Sequence, residues 1–89
     1  ARTIPAGCTH AEILLHASTE TAQAALRFDS GEFTALTPTQ TVSDKLPGGT
    51  RCTLLRYRVD IPENAQTAQL KLTLPSQSCK IYDTALVLL

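Results

Sequence analysis

The chain has 89 residues, eight Lys and Arg against eight Asp and Glu, and a formal net charge of zero. A chain this short buries only about 60–65% of the surface its unfolded form exposes, which leaves room for one domain over 1–89 and none for a second core. Zero net charge argues against nucleic-acid binding driven by bulk electrostatics, an apolar fraction of 43% argues against disorder, and the lack of Trp and Met, with two Phe and two Tyr, removes the usual aromatic sugar and base platforms.

The first informative element begins at Ile4-Pro5, which is followed by Ala11, Ile13 and Leu15 at alternate positions. Ile61-Pro62 is followed at the same offsets by Ala68, Leu70 and Leu72. Two segments built as Ile-Pro, a short polar stretch and an alternating apolar run predict one local device used twice: a strand, a turn and another strand. From Thr9 to Phe28 two readings compete. Thr9 and Glu12 form a capping-box pattern before a stretch rich in Ala, which favours a helix. The run Ile13-Leu14-Leu15, the Ser18-Thr19 interruption and the echo with the later segment favour strands over about His10–Ala17 and Gln23–Asp29 instead.

Turn signals follow at Asp29-Ser30-Gly31, Thr37-Pro38-Thr39 and Leu46-Pro47-Gly48-Gly49-Thr50, where Pro47 and Gly48 occupy the positions a type II turn requires. Leu55, Tyr57, Val59 and Ile61 then alternate with Arg56, Arg58 and Asp60, the period of a strand with one buried face. After the Pro62-Glu63-Asn64 break, Leu70, Leu72 and Leu74 alternate with Gln69, Lys71 and Thr73, which predicts a β-hairpin across the break. Pro75-Ser76-Gln77-Ser78 punctuates the chain again, and the run to Ala85-Leu86-Val87-Leu88-Leu89 is long enough for a strand covered on both faces. The count is about seven strands, and the predicted class is all-β: a small antiparallel β-sandwich, immunoglobulin-like or jelly-roll-like. An α+β fold with a helix in 9–28 is the alternative.

Three cysteines without a CxxC pair read as one disulfide plus one odd thiol, in a secreted, periplasmic, or virion or cell-surface protein. Cys52 and Cys79 open the strands on either side of 68–74, so a meander would bring them together, and one bridge would contribute about 3 kcal/mol. Cys8 is then the odd thiol. Asn64-Ala65-Gln66 is not a glycosylation acceptor, and the N-terminal residues lack an apolar signal core, as a mature exported form would. No stretch has the length of a transmembrane segment.

Arg56, Arg58 and Lys71 form the predicted binding strip, because alternation puts them on one face and the hairpin would make them neighbours. Pairing with Asp60 or Glu63 is the plainer role for that face. Cys8, His10 and His16 have no metal-loop spacing, and neither a metal nor another cofactor is expected. The apolar strand containing Leu86, Val87, Leu88 and Leu89 is the predicted interface, since an apolar edge strand with an open ladder pairs with another chain. The reading is a non-enzymatic structural or assembly subunit of an extracellular, cell-envelope or viral complex. Its partner would be protein, as a homo-oligomer or larger assembly, and not nucleic acid. The alternative is a small secreted ligand- or protein-binding module of carbohydrate-recognition or inhibitor type.

Overall fold

The computed structural model describes residues 2–75 and 78–89. Eight strands follow one another: β1 (Arg2–Thr3), β2 (His10–Ala17), β3 (Gln23–Phe28), β4 (Thr34–Ala35), β5 (Gln40–Lys45), β6 (Arg51–Asp60), β7 (Thr67–Thr73) and β8 (Ile81–Leu88). The protein is all-β, with no helix among the described residues and one strand more than the expected seven. The 9–28 segment resolves into β2 and β3, which corrects the helical alternative. Its apolar residues are buried with period two, Ala11, Ile13, Leu15 and Ala17 on β2 and then Ala24 and Leu26 on β3, and that burial overrides the helical propensity of its alanines.

The strands form two antiparallel four-stranded sheets, ordered β1-β7-β3-β4 and β5-β6-β2-β8. Residues from both contribute to one apolar cluster, whose largest fully buried side chains are Tyr57, Ile13, Leu15, Leu26 and Leu55. The chain changes sheet repeatedly, and only β3–β4 and β5–β6 join sequence neighbours within a sheet. The β5–β6 hairpin closes through the expected turn: Gly49 N–H donates to Leu46 O at 2.9 Å, and Gly48 has a φ of 98° at the position where a type II turn needs it positive. Of the Pro75–Ser78 break, Ser76 and Gln77 lie outside the described residues.

The hairpin predicted across Pro62 is not formed, because β6 pairs with β2 and β5 while β7 pairs with β1 and β3. Both strands have a single apolar face, and placing them in different sheets lets both faces cover the same core. This also corrects the predicted Cys52–Cys79 bridge. Cys52 lies in β6 and Cys79 just before β8, and these strands flank β2 rather than β7, two strand spacings of roughly 4.8 Å each apart, beyond disulfide reach. Cys79 belongs to the core cluster, Cys52 lies on the opposite face of its sheet, and all three cysteines are free thiols.

The Ile-Pro echo is real geometry, although each copy links strands of different sheets. In the β1–β2 link Cys8 N–H donates to Pro5 O at 3.3 Å, and in the β6–β7 link Ala65 N–H donates to Pro62 O at 3.2 Å. The residue two after each proline has positive φ, Gly7 at 87° and Asn64 at 67°. The two turns then bond reciprocally, Ile4 N–H to Gln66 O at 2.8 Å and Ile61 N–H to Thr9 O at 2.9 Å. The flanking pairs obey the same two-fold relation: Arg2↔Ala68 and Thr3↔Thr67 correspond to Ala11↔Val59 and His10↔Asp60. Ala11 and Ala68, equivalent in the echo, are both buried.

Replacing Gly7 by Ala places a Cβ in open space, so its effect is the left-handed backbone alone. Gly7→Ala should lower the unfolding free energy by about 1–2 kcal/mol in urea titration, and Asn64→Gly should leave it within about 0.5 kcal/mol. Equal stability of Gly7→Ala and the parent would contradict the positive-φ turn.

Candidate functional site

β8 is an edge strand, paired only with β2. Leu89 N–H donates to His10 O at 2.8 Å and His10 N–H to Leu89 O at 3.1 Å, which makes this a hydrogen-bonded pair. Antiparallel alternation then turns the backbone groups of Val87 and Ala85 toward β2 and those of Leu88, Leu86 and Thr84 toward the open side. The Arg2 guanidinium, reaching from β1, donates to Leu86 O and covers one of these groups. The side chains of Leu86 and Leu88 pack against the core, whereas Val87 is 39% and Leu89 50% exposed. The strand predicted to be covered on both faces is therefore covered on one, because the other sheet packs on its inner face and no element of the described chain lies over its outer face.

The other edges differ. β1 and β4 have two residues each, and β5 is exposed throughout with Val42 as its one apolar residue. β8, with eight residues, is the long edge.

Register fixes the outer face of the second sheet. Val87, Glu12 and Arg58 form one row, Ala85, Leu14, Arg56 and Gln40 the next, and Asp83, His16, Leu54 and Val42 a third. An apolar band, Val87, Ala85, Leu14, Leu54 and Val42, therefore runs obliquely from the open edge across all four strands. Arg56 and Arg58 share this face as expected, and Arg58 pairs with Glu12 at 3.6 Å. Lys71 does not join them. It sits on β7 in the other sheet, where its ammonium lies 5.5 Å from the Phe33 ring centroid and the Arg27 guanidinium 4.9 Å from it. The three-cation strip fails because its second member strand is across the core rather than alongside.

At the far end of the outer face three dissimilar groups converge. His16 Nε2 lies 3.2 Å from Asp44 Oδ2, and Cys52 stands opposite Asp44 in the β5–β6 register. A donor atom from each of the three lies within 4.8 Å of the others. Asp44 and Cys52 border a cleft of about 500 Å³, with Ser18, Ser43, Lys45 and Arg51 among its walls. The Lys45 backbone N–H, at 2.8 Å, and then His16 hold the Asp44 carboxyl below the usual range. Loss of water around Cys52, together with the Asp44 charge, pushes its thiol above the usual range. Cys52 is thus a protonated thiol at neutral pH, and an activated nucleophile is not what this arrangement makes.

Sequence reasoning missed this cluster because 16, 44 and 52 have no motif spacing. One signal was present: the Pro47-Gly48 turn centres the hairpin and sets Asp44 opposite Cys52. His10 and His16 share the outer side of β2 but stand about 20 Å apart at ~3.3 Å per residue, so they cannot hold one ion. His10 instead pairs with Asp60 at 3.2 Å.

Because the folded Asp44 carboxyl titrates below its unfolded value, its contribution to stability is complete above the unfolded pKa and is lost as pH falls through the folded one. Carbon-detected NMR titration should find Asp44 below 3.8, and still below it in His16→Gln, since the Lys45 N–H is the larger cause. In Asp44→Asn the Cys52 thiol should titrate at lower pH than in the parent, and an unchanged Cys52 midpoint would contradict the assigned coupling. No protein-family model, no curated protein and no solved structure matches this chain.

Proposed function

We propose that the chain is a non-enzymatic β-sandwich subunit that assembles with a protein partner through β8, as a homo-oligomer or part of a larger extracellular, cell-envelope or viral complex. The observation that carries this reading is the eight-residue edge of β8, with Val87 and Leu89 exposed beside outward backbone groups of which, among the described residues, the Leu86 carbonyl is engaged by Arg2 and the Thr84 N–H by the neighbouring Asp83 carboxylate. Adding a strand there would pair both backbone groups of Leu88, the Leu86 N–H and the Thr84 carbonyl, displace Arg2 and Asp83 from the other two, and cover the start of the apolar band. Edges left open in monomers usually carry charge, proline or a bulge along their length. Here Asp83 is the single charged residue on β8, and the register irregularity falls at its beginning, beside His16 and Ala17. The sandwich arrangement is supported by the shared core, since Ala24, Leu26 and Ala68 of one sheet cluster with Ile13, Leu55 and Tyr57 of the other.

The test separates the two faces of β8. Leu86→Lys with Leu88→Lys puts two charges against the core and should unfold the chain, as judged by circular dichroism. Val87→Lys with Leu89→Lys should keep the parent spectrum, while the mass measured by size-exclusion chromatography with light scattering falls from oligomer to monomer. A parent that is monomeric at high concentration would contradict assembly of copies, and a strand-like peptide partner bound equally by the Val87→Lys/Leu89→Lys variant would contradict the edge itself.

A further inference from the structure

The cluster at the β5–β6 end of the outer face holds an imidazole, a carboxylate and a thiol, each delivered by a different strand. His16 and Asp44 satisfy one another through their 3.2 Å hydrogen bond. Cys52 is what this pair does not explain. Its side is only 5% exposed, no hydrogen bond to its sulfur is seen among the described residues, and the sulfur points at the other two groups. A buried thiol with no partner, facing a nitrogen and an oxygen donor, is the donor set of a borderline-soft divalent cation.

We infer that His16, Asp44 and Cys52 form a three-residue binding site for a zinc-type divalent transition-metal ion. Ligand atoms on a tetrahedral zinc ion stand about 3.3–3.7 Å apart. The His16–Asp44 separation of 3.2 Å already fits, and the widest separation of 4.8 Å requires a closure of about 1 Å. β5 can supply it, being an exposed edge strand bound on one side only, by β6. The fourth position is left to a water molecule or an exogenous anion. Asp83, across from His16 on β8, has its carboxylate engaged by the Thr84 N–H at 2.9 Å.

Binding exchanges a proton for a metal–sulfur bond: the Cys52 thiol releases its proton to solvent and the thiolate coordinates the ion. Asp44 enters through a carboxylate oxygen and His16 through a ring nitrogen. Because the thiol is fully protonated before binding, about one proton is released per ion.

The experiment uses the reduced chain with Zn²⁺ in calorimetry and Co²⁺ in absorption spectroscopy, at pH 8 in buffers of different ionisation enthalpy. The expected result is one ion per chain, about one proton released, and a thiolate-to-cobalt charge-transfer band in the near ultraviolet. The band should persist in Cys8→Ser and disappear in Cys52→Ser. His16→Gln and Asp44→Asn, both at exposed or half-exposed positions that leave the fold intact, should each weaken binding by about tenfold or more. Absence of the band in the parent, its survival in Cys52→Ser, its loss in Cys8→Ser, or parent-like affinity in both His16→Gln and Asp44→Asn would each overturn the assignment.

Discussion

Two reciprocal hydrogen bonds, Ile4 N–H to Gln66 O and Ile61 N–H to Thr9 O, tie together the points where the chain crosses between its sheets. They set two registers at once, β1 against β7 in one sheet and β2 against β6 in the other. A one-residue slip of β2 would turn Ala11, Ile13, Leu15 and Ala17 outward and bring His10, Glu12, Leu14 and His16 into the core, which the buried surface forbids. β2 is also the strand on which β8 pairs, so the orientation of the open edge follows from the same crossing. The position of His16 beside the β5–β6 hairpin follows as well.

Much of this was legible in the residues. The Ile-Pro repeat marks both turns, though not that each crosses between sheets, Pro47-Gly48 marks the hairpin turn, and alternation identifies the inward residues of β2, β6 and β7. What alternation does not carry is sheet membership. A strand with one apolar face reads the same whether its neighbour in sequence lies beside it or across the core, and the Ile61–Gln66 link is long enough for either. That ambiguity moved Lys71 away from Arg56 and Arg58, and it removed the meander on which the Cys52–Cys79 bridge rested. The apolar run Ala85–Leu89 was likewise legible as a strand but not as an edge, because strand order depends on which partners β2 has already taken. The His16–Asp44–Cys52 cluster was the least legible, since it needs the hairpin register and the β2–β6 register together.

The second sheet carries both proposed sites while the first completes the core. Its edge presents a ladder that no strand of the described chain pairs, its outer face carries the apolar band from Val87 to Val42, and its far end holds the three convergent donors. These features lie on one surface but answer to different chemistry. Pairing at β8 depends on backbone groups and exposed apolar side chains, whereas the donor cluster depends on β5 staying in register with β6. A partner on the edge would meet β8, whereas an ion at the far end would be held by β2, β5 and β6, so the two proposed sites use different strands of the same sheet.

Residue-resolved amide hydrogen exchange tests the paired crossing most directly, because the bonds that define it belong to two amides outside any strand. The account predicts that the Ile4 and Ile61 amides are both protected, to a similar degree, well above the exposed turn amide of Gly48. Exchange of either Ile amide at the rate of Gly48 would mean that the crossings are not tied to each other, and the shared register built on them would be contradicted.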